Sequence, residues 1–428
     1  MKVLVTGASG LIGGAVCARL AADGHEIIAA VRNPNAPLSM AISRVSVVDM
    51  ARAVTTEDWR GHLAGIDAVV NCVGVLQDSP REDVTVHATG AEALFKACAQ
   101  YGIRRLIHFS AIGVDRGTVS PFSESKLRGD EALMALDLDW VILRPSVVLG
   151  QPVFGASALF RGLAGLPVVP MMGGTGELQV VQLDQVTETV ARLIGPEAPA
   201  RIVLELVGPE RLTMAQIVAL YRRWLGWPLA RVWRLPDAVG SMLYWLGDQA
   251  AKLGWRPPMR STAQKEVLRG AIGSSDAWTS TTGIAPQGLA AALRETPASV
   301  QERWFAKLYF LKALLFVVAS LFWIGTGVIS LTVGYEIGAD LMRRAGAGIL
   351  AGPSVIAGAI ADILVGGAIA YRPYARLGLY AAIGLSLFYA VAGTILLPEL
   401  WAEPLGPLMK IWPILVLHMV GLAILDER

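Results

Sequence analysis

Gly7, Gly10 and Gly13 stand three residues apart, directly after the apolar run Lys2-Val3-Leu4-Val5-Thr6. A strand that ends in such a triplet and continues into a helix (12–22) builds a phosphate cradle. One glycine makes the tight turn, one lets backbone approach a pyrophosphate, and one lets the helix pack on the strand. The helix N-terminus then offers the phosphates its unpaired N–H groups and the positive end of its dipole. Gly7, Ser9, Gly10, Leu11, Ile12 and Gly13 are therefore the expected contacts to a dinucleotide. A second strand, Glu26-Ile27-Ile28-Ala29-Ala30-Val31, ends at Arg32-Asn33. A domain that prefers NAD usually carries an acid there for the ribose 2′-hydroxyl. An arginine can instead pair a 2′-phosphate through its planar fork. The expected cofactor is NADP(H); the alternative is NAD(H), with Arg32 a solvated surface residue.

The elements that must position these residues are legible as alternating apolar and helical stretches. A third strand at 45–48 runs into Asp49-Met50, placed to flank the adenine. A fourth at 67–70 leads to Asn71-Cys72-Val73-Gly74, a fifth at 105–109 ends at Ser110, and a sixth at 140–143 ends at Arg144-Pro145-Ser146-Val147. Helical segments at 90–101 and 125–136 lie between them. This order predicts an α/β Rossmann-like fold, a doubly wound parallel sheet with its ligand at the C-terminal strand ends. Asp49, Met50, Cys72, Val73, Gly74, Ser110, Pro145 and Val147 join the expected cofactor contacts. Residues 1–150 form the dinucleotide domain and 151–300 a small α/β subdomain. Within the latter, 152–176 is rich in Gly and Pro and is expected to cross the nicotinamide end as a lid or substrate loop. Residues 79–83 are a second candidate substrate loop. Trp233, Tyr244, Trp245, Trp255 and Trp278 are expected to pack the subdomain, the other reading being an aromatic belt at a membrane surface.

From about residue 313 the chain changes solvent. Residues 313–335 and 377–397 hold no charge, 353–371 only Asp362, and 407–425 only Lys410 and His418. Each run is long enough to cross about 30 Å of hydrocarbon. An all-α transmembrane four-helix bundle is expected over 301–428. The need of a nucleotide for cytosol, supported by Lys307, Lys312, Arg372 and Arg376 at one end of the spans, puts the dinucleotide domain and the C-terminus on the cytoplasmic side of a bacterial inner membrane. Asp362 and His418 fall at mid-bilayer depth. Such residues are costly there and read either as a proton relay or polar ligand site, or as helix-to-helix hydrogen bonds. The N-terminus does not read as a signal peptide, because its apolar run breaks at Thr6-Gly7.

Taken together, Gly7-x-x-Gly10-x-x-Gly13, Asp49-Met50, Asn71-x-x-Gly74, Ser125-Lys126-x-x-Gly129-Asp130-Glu131 and Leu143-Arg144-Pro145 resemble the short-chain dehydrogenase/reductase superfamily in its extended, atypical branch. The stretch from Ser125 to Gly150 is especially similar to the NADPH-binding accessory subunit of mitochondrial complex I and its bacterial relatives. The segment Leu206-Val207-Gly208-Pro209-Glu210, followed by a helix with Thr213 and Gln216 as its capping box, resembles the small subdomain of that group. The apolar tail is similar to the DoxX-like family. The resemblance implies a Tyr-x-x-x-Lys catalytic pair, and Lys126 takes the lysine position. Phe122 stands where the tyrosine belongs, Ala111 and Ile112 where the serine or threonine belongs, and His87 where an asparagine commonly helps. A phenylalanine has no proton to give. Alcohol or ketone chemistry by the usual route then loses its general acid/base, worth roughly 10² to 10⁴ in rate. Lys126 can still bond the cofactor ribose and His87 can stand in as an acid, so these two are the candidate catalytic residues. Asp184 matches a family position that orders the sheet edge.

A net charge of +2 over 428 residues gives no field suited to nucleic acid. Cys17, Cys72 and Cys98 lack metal-ligand spacing and read as small buried hydrophobes. Three functions remain open from sequence. The first is an oxidoreductase that passes hydride to a quinone-type acceptor, which takes its protons elsewhere. The second is an inactive NADPH-binding sensor or scaffold of a membrane complex. The third is an epimerase or reductase acting on a membrane lipid.

Overall fold

A computed structural model of the chain describes residues 1–74, 85–116 and 120–426. The candidate loop at 79–83 lies outside the described residues. The chain forms two compact units, Met1–Asp248 with Pro258–Ala306, and Gln249–Pro257 with Lys307–Arg428.

The first unit is built on seven strands: β1 (Lys2–Thr6), β2 (Glu26–Val31), β3 (Arg44–Val47), β4 (Ala68–Asn71), β5 (Arg105–Phe109), β6 (Asp139–Pro145) and β7 (Ile202–Leu206). All pair in parallel, in the order β7-β6-β5-β4-β1-β2-β3. The sheet reads as continuous apolar runs because both faces are covered. Side chains alternate between faces along each strand. Val3, Val5, Ile27 and Ala29 meet Val16, Cys17 and Leu20 of α1 (Leu11–Ala22) on one face. Leu4, Ile28, Val69 and Leu106 meet Leu94 and Phe95 of α2 (Gly90–Gln100) on the other. The order reverses at β1, between β4 and β2, and that is where such a sheet opens its ligand crevice. Helix α3 (Pro121–Met134) starts at Ser120 with a capping box to Ser123, and Pro121 occupies its first turn.

The stretch 152–176 is not an open loop. It contains the helix Ala156–Ala164, with Phe160 and Leu163 buried, and the strand Val168–Met172, which pairs with Arg231–Leu235. Burial of Phe160 and Leu163, each worth about 2–3 kcal/mol, outweighs the breaking tendency of the surrounding Gly and Pro. Thr213 caps the helix Met214–Trp224 with Gln216, as the sequence predicts. Helix α4 (Asp237–Lys252) follows, and the shorter helices Ser261–Arg269, Asp276–Thr282 and Leu289–Glu295 come after it.

The second unit is all-helical: α5 (Val300–Leu331, whose first residues belong to the first unit), α6 (Tyr335–Arg344), α7 (Ala351–Ala370), α8 (Ala375–Leu396) and α9 (Ile411–Ile424). Among the described residues, three helical stretches are long and apolar enough to cross a membrane: Val300–Leu331, Gly348–Ala370 and Arg372–Leu396. The fourth expected span is shorter. Helix begins only at Ile411, with Pro413 in its first turn, so 14 residues cover about 21 Å. Helix α6 occupies the stretch between the first two apolar runs, with Arg343 and Arg344 in its last turn. Close packing rests on small residues: a Cβ on Gly366 would stand 2.8 Å from the carbonyl oxygen of Ser320, and one on Gly327 2.5 Å from that of Ala359.

Candidate functional site

The cradle has the geometry its glycines require. Gly7 has φ +68°, and a Cβ there would meet the backbone of Cys72 at 3.0 Å and of Val73 at 3.1 Å. A Cβ on Gly13 would lie 2.2 Å from the carbonyl oxygen of Gly7, so this glycine sets how closely α1 packs on the turn. Gly10 is the N-cap of α1, donates its N–H to Gly7 O at 2.8 Å and offers no side-chain cap. No acidic residue stands in the first helical turn. The N–H groups of Leu11, Ile12 and Gly13 are those that a helix start leaves without intrahelical partners. A pyrophosphate fits this donor set, and its two negative charges suit the dipole.

The other predicted contacts line the same strand ends. Arg32 follows β2 directly and is exposed. The Asp49 carboxylate accepts from the N–H of Ala51 at 3.1 Å and so holds its own turn. Met50 is buried, and its carbonyl oxygen would be 2.1 Å from a Cβ on Gly90. Cys72, Val73 and Gly74 continue from β4, Ser110 from β5. Pro145 ends β6 and its carbonyl takes the N–H of Ile112 at 3.1 Å; that of Val147 takes the N–H of Val181 at 3.0 Å.

Lys126 is buried on α3. Its ammonium donates to Val73 O at 2.9 Å and Phe109 O at 2.8 Å, which places it between the ends of β4 and β5 and 3.7 Å from the Cβ position of Gly74. His87 is buried as well. Its ring stands edge-on to Phe122 at 5.4 Å, and its Nδ1 lies 3.0 Å from Ser125 Oγ. Ser125 has one hydroxyl proton. Donated to Phe122 O at 2.9 Å, it leaves His87 Nδ1–H as the donor to Ser125. Burial, with help from the charges of Lys126 and His108, pushes the His87 imidazole well below its usual value, so the ring is neutral at physiological pH. The Asp184 carboxylate is exposed at the start of the helix Leu183–Leu193, away from these groups.

Sequence reasoning missed a buried polar chain beneath the strand ends. Register sets Thr6 level with Asn71, and Asn71 level with His108. Asn71 Oδ1 accepts from Thr6 Oγ1 at 2.7 Å and from the N–H of Val73 at 3.3 Å. Its Nδ2 must then donate to His108 Nδ1, at 3.0 Å. His108 therefore carries its proton on Nε2, which faces Asp130 Oδ1 at 3.5 Å, beyond a good hydrogen bond. Asp130 Oδ2 accepts from Ser110 Oγ at 2.9 Å and from Arg144 at 3.0 and 3.1 Å. Burial alone would raise the Asp130 carboxyl, but His108, Ser110 and Arg144 hold it below the usual carboxylate value. Burial depresses His108. The chain fixes the floor under Lys126 and the β4–β5 ends. Asn71, Asp130 and Arg144 stood in the sequence motifs; only the strand register joins them through His108.

The thiols follow the bland expectation in two cases out of three. Cys17 and Cys98 are buried and Cys72 partly so. Burial raises all three, Cys17 to about 12.

The second unit has its own polar interior. Tyr389 donates to Asp362 Oδ1 at 3.0 Å, and Trp323 Nε1 donates to His418 Nε2 at 2.9 Å, which puts the histidine proton on Nδ1. Ser320 donates to Gly366 O at 2.9 Å. These bonds tie α5 to α7 and α9, and α7 to α8.

Comparison with known proteins agrees with this anatomy. Residues 7–160 match the NAD(P)H-binding family, and residues 320–419 match the DoxX-like family. The chain is 26% identical over 230 residues to the mitochondrial NADH-ubiquinone oxidoreductase 40 kDa subunit of Neurospora crassa, covering 51% of this chain and 59% of that protein. It thus spans less than two thirds of this relative. It is 24% identical over 237 residues to a ceramide reductase of Caulobacter vibrioides, covering 55% and 74%. The solved structure of MoeE5 in complex with UDP-glucose and NAD superposes with a TM-score of 0.54 at 18% identity, over 72% of this chain and all of that one. The fold and site define an NAD(P)-binding, Rossmann-type domain that is similar to short-chain dehydrogenases/reductases. The chain joins that oxidoreductase-type domain, similar to the complex I 40 kDa subunit, to a DoxX-like membrane domain of apolar helices.

Proposed function

We propose that the protein is a membrane-anchored oxidoreductase that binds NADP(H) and passes hydride to a quinone-type acceptor. In this reading residues 1–150 hold the nucleotide, 151–300 shape the substrate end and 301–428 anchor the chain in a bacterial inner membrane, with the nucleotide domain and C-terminus cytoplasmic. One observation carries it: a cradle fit for a dinucleotide stands beside Lys126, and the ring of Phe122 fills the place of the usual hydroxyl acid. Reduction of a quinone to a hydroquinone takes one hydride and one proton. Hydride is what a bound reduced nicotinamide supplies. The proton comes from water or from the Asp362–Tyr389 and Trp323–His418 pairs, so no tyrosine is needed. Gly7, Ser9, Gly10, Leu11, Ile12 and Gly13 hold the pyrophosphate, Arg32 the 2′-phosphate, and Asp49 and Met50 the adenine side. Cys72, Val73, Gly74, Ser110, Pro145 and Val147 line the nicotinamide side. Lys126 holds the ribose, and His87 packs Phe122 and keeps water from its edge.

The same phenylalanine favours a second reading, an inactive NADPH-binding scaffold. The ceramide reductase relative lends support to a third, a reductase of a membrane lipid. The test is oxidation of NADPH by the full-length protein in nanodiscs, with a short-chain benzoquinone as acceptor, alongside the Phe122→Tyr variant. The expected result is quinone-dependent turnover that Phe122→Tyr leaves within about threefold, since the tyrosine's acid/base contribution is not used. Tight NADPH binding without turnover supports the scaffold. Turnover with a ketone-bearing lipid that rises in Phe122→Tyr supports the lipid reductase.

A further inference from the structure

Helix α3 begins with two serines whose hydroxyl protons point away from its own capping box. The box uses their oxygens: Ser120 Oγ accepts the N–H of Ser123, and Ser123 Oγ accepts the N–H of Ser120, each at 3.2 Å. Both hydroxyls donate to one carboxylate oxygen, Glu266 Oε1, that of Ser123 at 3.0 Å. The carbonyl of Ser120, 3.2 Å from Ser123 Oγ, is the weaker acceptor, because a carboxylate makes the stronger hydrogen bond. Glu266 stands on the helix Ser261–Arg269, 146 residues beyond Ser120, with its side chain 12% exposed. Its charge lies at the N-terminus of α3, the end of the dipole that favours an anion.

The other carboxylate oxygen reaches a second strand end. Glu266 Oε2 pairs with Arg269 at 2.6 Å, and the Arg269 guanidinium donates to Ile112 O at 3.1 Å and Gly113 O at 3.3 Å. A carboxylate–guanidinium bracket thus joins the first turn of α3 to the turn that follows β5. Lys126 crosses the same gap. It stands three residues after Ser123 on α3 and donates to Phe109 O, three residues before Ile112. The spacing of α3 from the end of β5 therefore decides where its ammonium stands. The bracket helix is itself fixed to the end of the 152–176 stretch. Val267 O takes the N–H of Gly176 at 3.0 Å, and Gly270, at φ +80°, leaves room for Glu177 O, which would lie 2.7 Å from a Cβ there.

We propose that Glu266 and Arg269 are positioning residues for the bound nucleotide: they hold α3 against the end of β5 so that Lys126 meets the nicotinamide ribose. The inference rests on the assignment of Lys126 to that ribose. Loss of either partner releases the start of α3 from Ile112 and Gly113, and Lys126 moves with its helix. Both residues act through Lys126 rather than by touching the nucleotide. The adenine half, held by the glycine cradle and Arg32, does not depend on the bracket.

The test titrates the full-length protein in nanodiscs with NADPH and with adenosine 2′,5′-bisphosphate, which carries the adenine half alone. Glu266→Gln keeps the shape of the side chain and removes its charge, and Arg269→Gln opens the other half of the bracket. Lys126→Met is the reference, expected to weaken NADPH roughly 10- to 100-fold by loss of charged hydrogen bonds to the ribose. Each bracket variant is expected to weaken NADPH by about fivefold or more and to keep the bisphosphate within about twofold. Added to Lys126→Met, neither should weaken NADPH further by more than about twofold, because residues that act in one chain of contacts are not additive. Retained bisphosphate binding also shows that a variant is folded. Unchanged NADPH affinity in both bracket variants, equal loss of both ligands, or losses that add in full to that of Lys126→Met would each overturn the proposal. Unchanged NADPH affinity in Lys126→Met would overturn the ribose assignment, and the role of the bracket with it.

Discussion

Gly13→Ala is the sharpest test of the cradle. The added methyl would stand 2.2 Å from Gly7 O and 2.7 Å from Gly7 C, both backbone atoms that cannot swing aside. Helix α1 must back away from the β1 turn by about 1 Å to restore an ordinary contact. The N–H groups of Leu11, Ile12 and Gly13 move with it. Loss of two charge-assisted hydrogen bonds to phosphate, at about 1.5 kcal/mol each, comes to about 3 kcal/mol, or roughly a hundredfold in Kd. At a concentration of NADPH a hundred times the wild-type Kd, ligand stabilisation of the domain falls from about 2.7 to about 0.4 kcal/mol. The assay is fluorescence titration of NADPH on the full-length protein, with unfolding followed at fixed ligand. Gly14→Ala on the same helix is the control: its methyl meets only Ala8 O, at 3.3 Å, and should keep near-normal affinity. A folded Gly13→Ala protein that binds NADPH within about threefold of wild type would refute the reasoning, because no pyrophosphate would then depend on that close approach.

Two further outcomes follow from the site. Arg32→Ala should weaken NADPH by about 10- to 100-fold, the worth of a charge-assisted arginine–phosphate contact, and leave NADH unchanged; equal loss for both would remove the 2′-phosphate assignment. His87 and His108 are both held below their usual value, so the unfolded chain takes up protons below about pH 6.5 that the folded chain refuses. Stability is then full above that pH and lost as it falls, by up to about 1.4 kcal/mol per pH unit for each histidine. Denaturant unfolding of the nucleotide unit between pH 7.5 and 5.5 should show this slope, and the His87→Gln, His108→Gln double variant should flatten it. Asp130 is depressed too, so its contribution also fades as pH falls, but only through the carboxylate range, below that window.

The nucleotide half was legible because its signals are local. A 2.2 Å approach leaves Gly13 no substitute, and β1, β2 and β4 are apolar runs of the length that a sheet buried on both faces needs. What the sequence hid depends on partners far away along the chain. The Pro and Gly of 152–176 suggest a loop until Phe160 and Leu163 find a core. His108 looks like one more strand residue until register sets it beside Asn71 and Asp130. Hydropathy counted 407–425 as a span, but it is blind to where helix geometry starts, and the stretch before Ile411 is a turn. Exposure of Trp245 and burial of Trp278 divide an aromatic set that composition alone treats as one.

Synthesis order gives the shared helix a further meaning. The first unit is not complete until Ala306 has been made, since Arg303 Nε closes onto Leu225 O at 3.0 Å and Gly165 packs against Ala306 O. Those residues are the opening turns of α5, whose apolar continuation is the first segment a translocation machinery would seize. At about 5–20 residues per second, only a second or so separates the last contact of the nucleotide unit from the arrival of the first span. A parallel sheet with pairings as distant as β6 with β7 forms slowly. The closing contacts of the nucleotide unit at Arg303 and Ala306 and the apolar length of α5 therefore leave the ribosome almost together, so completion of that unit and entry of the span into lipid overlap in time.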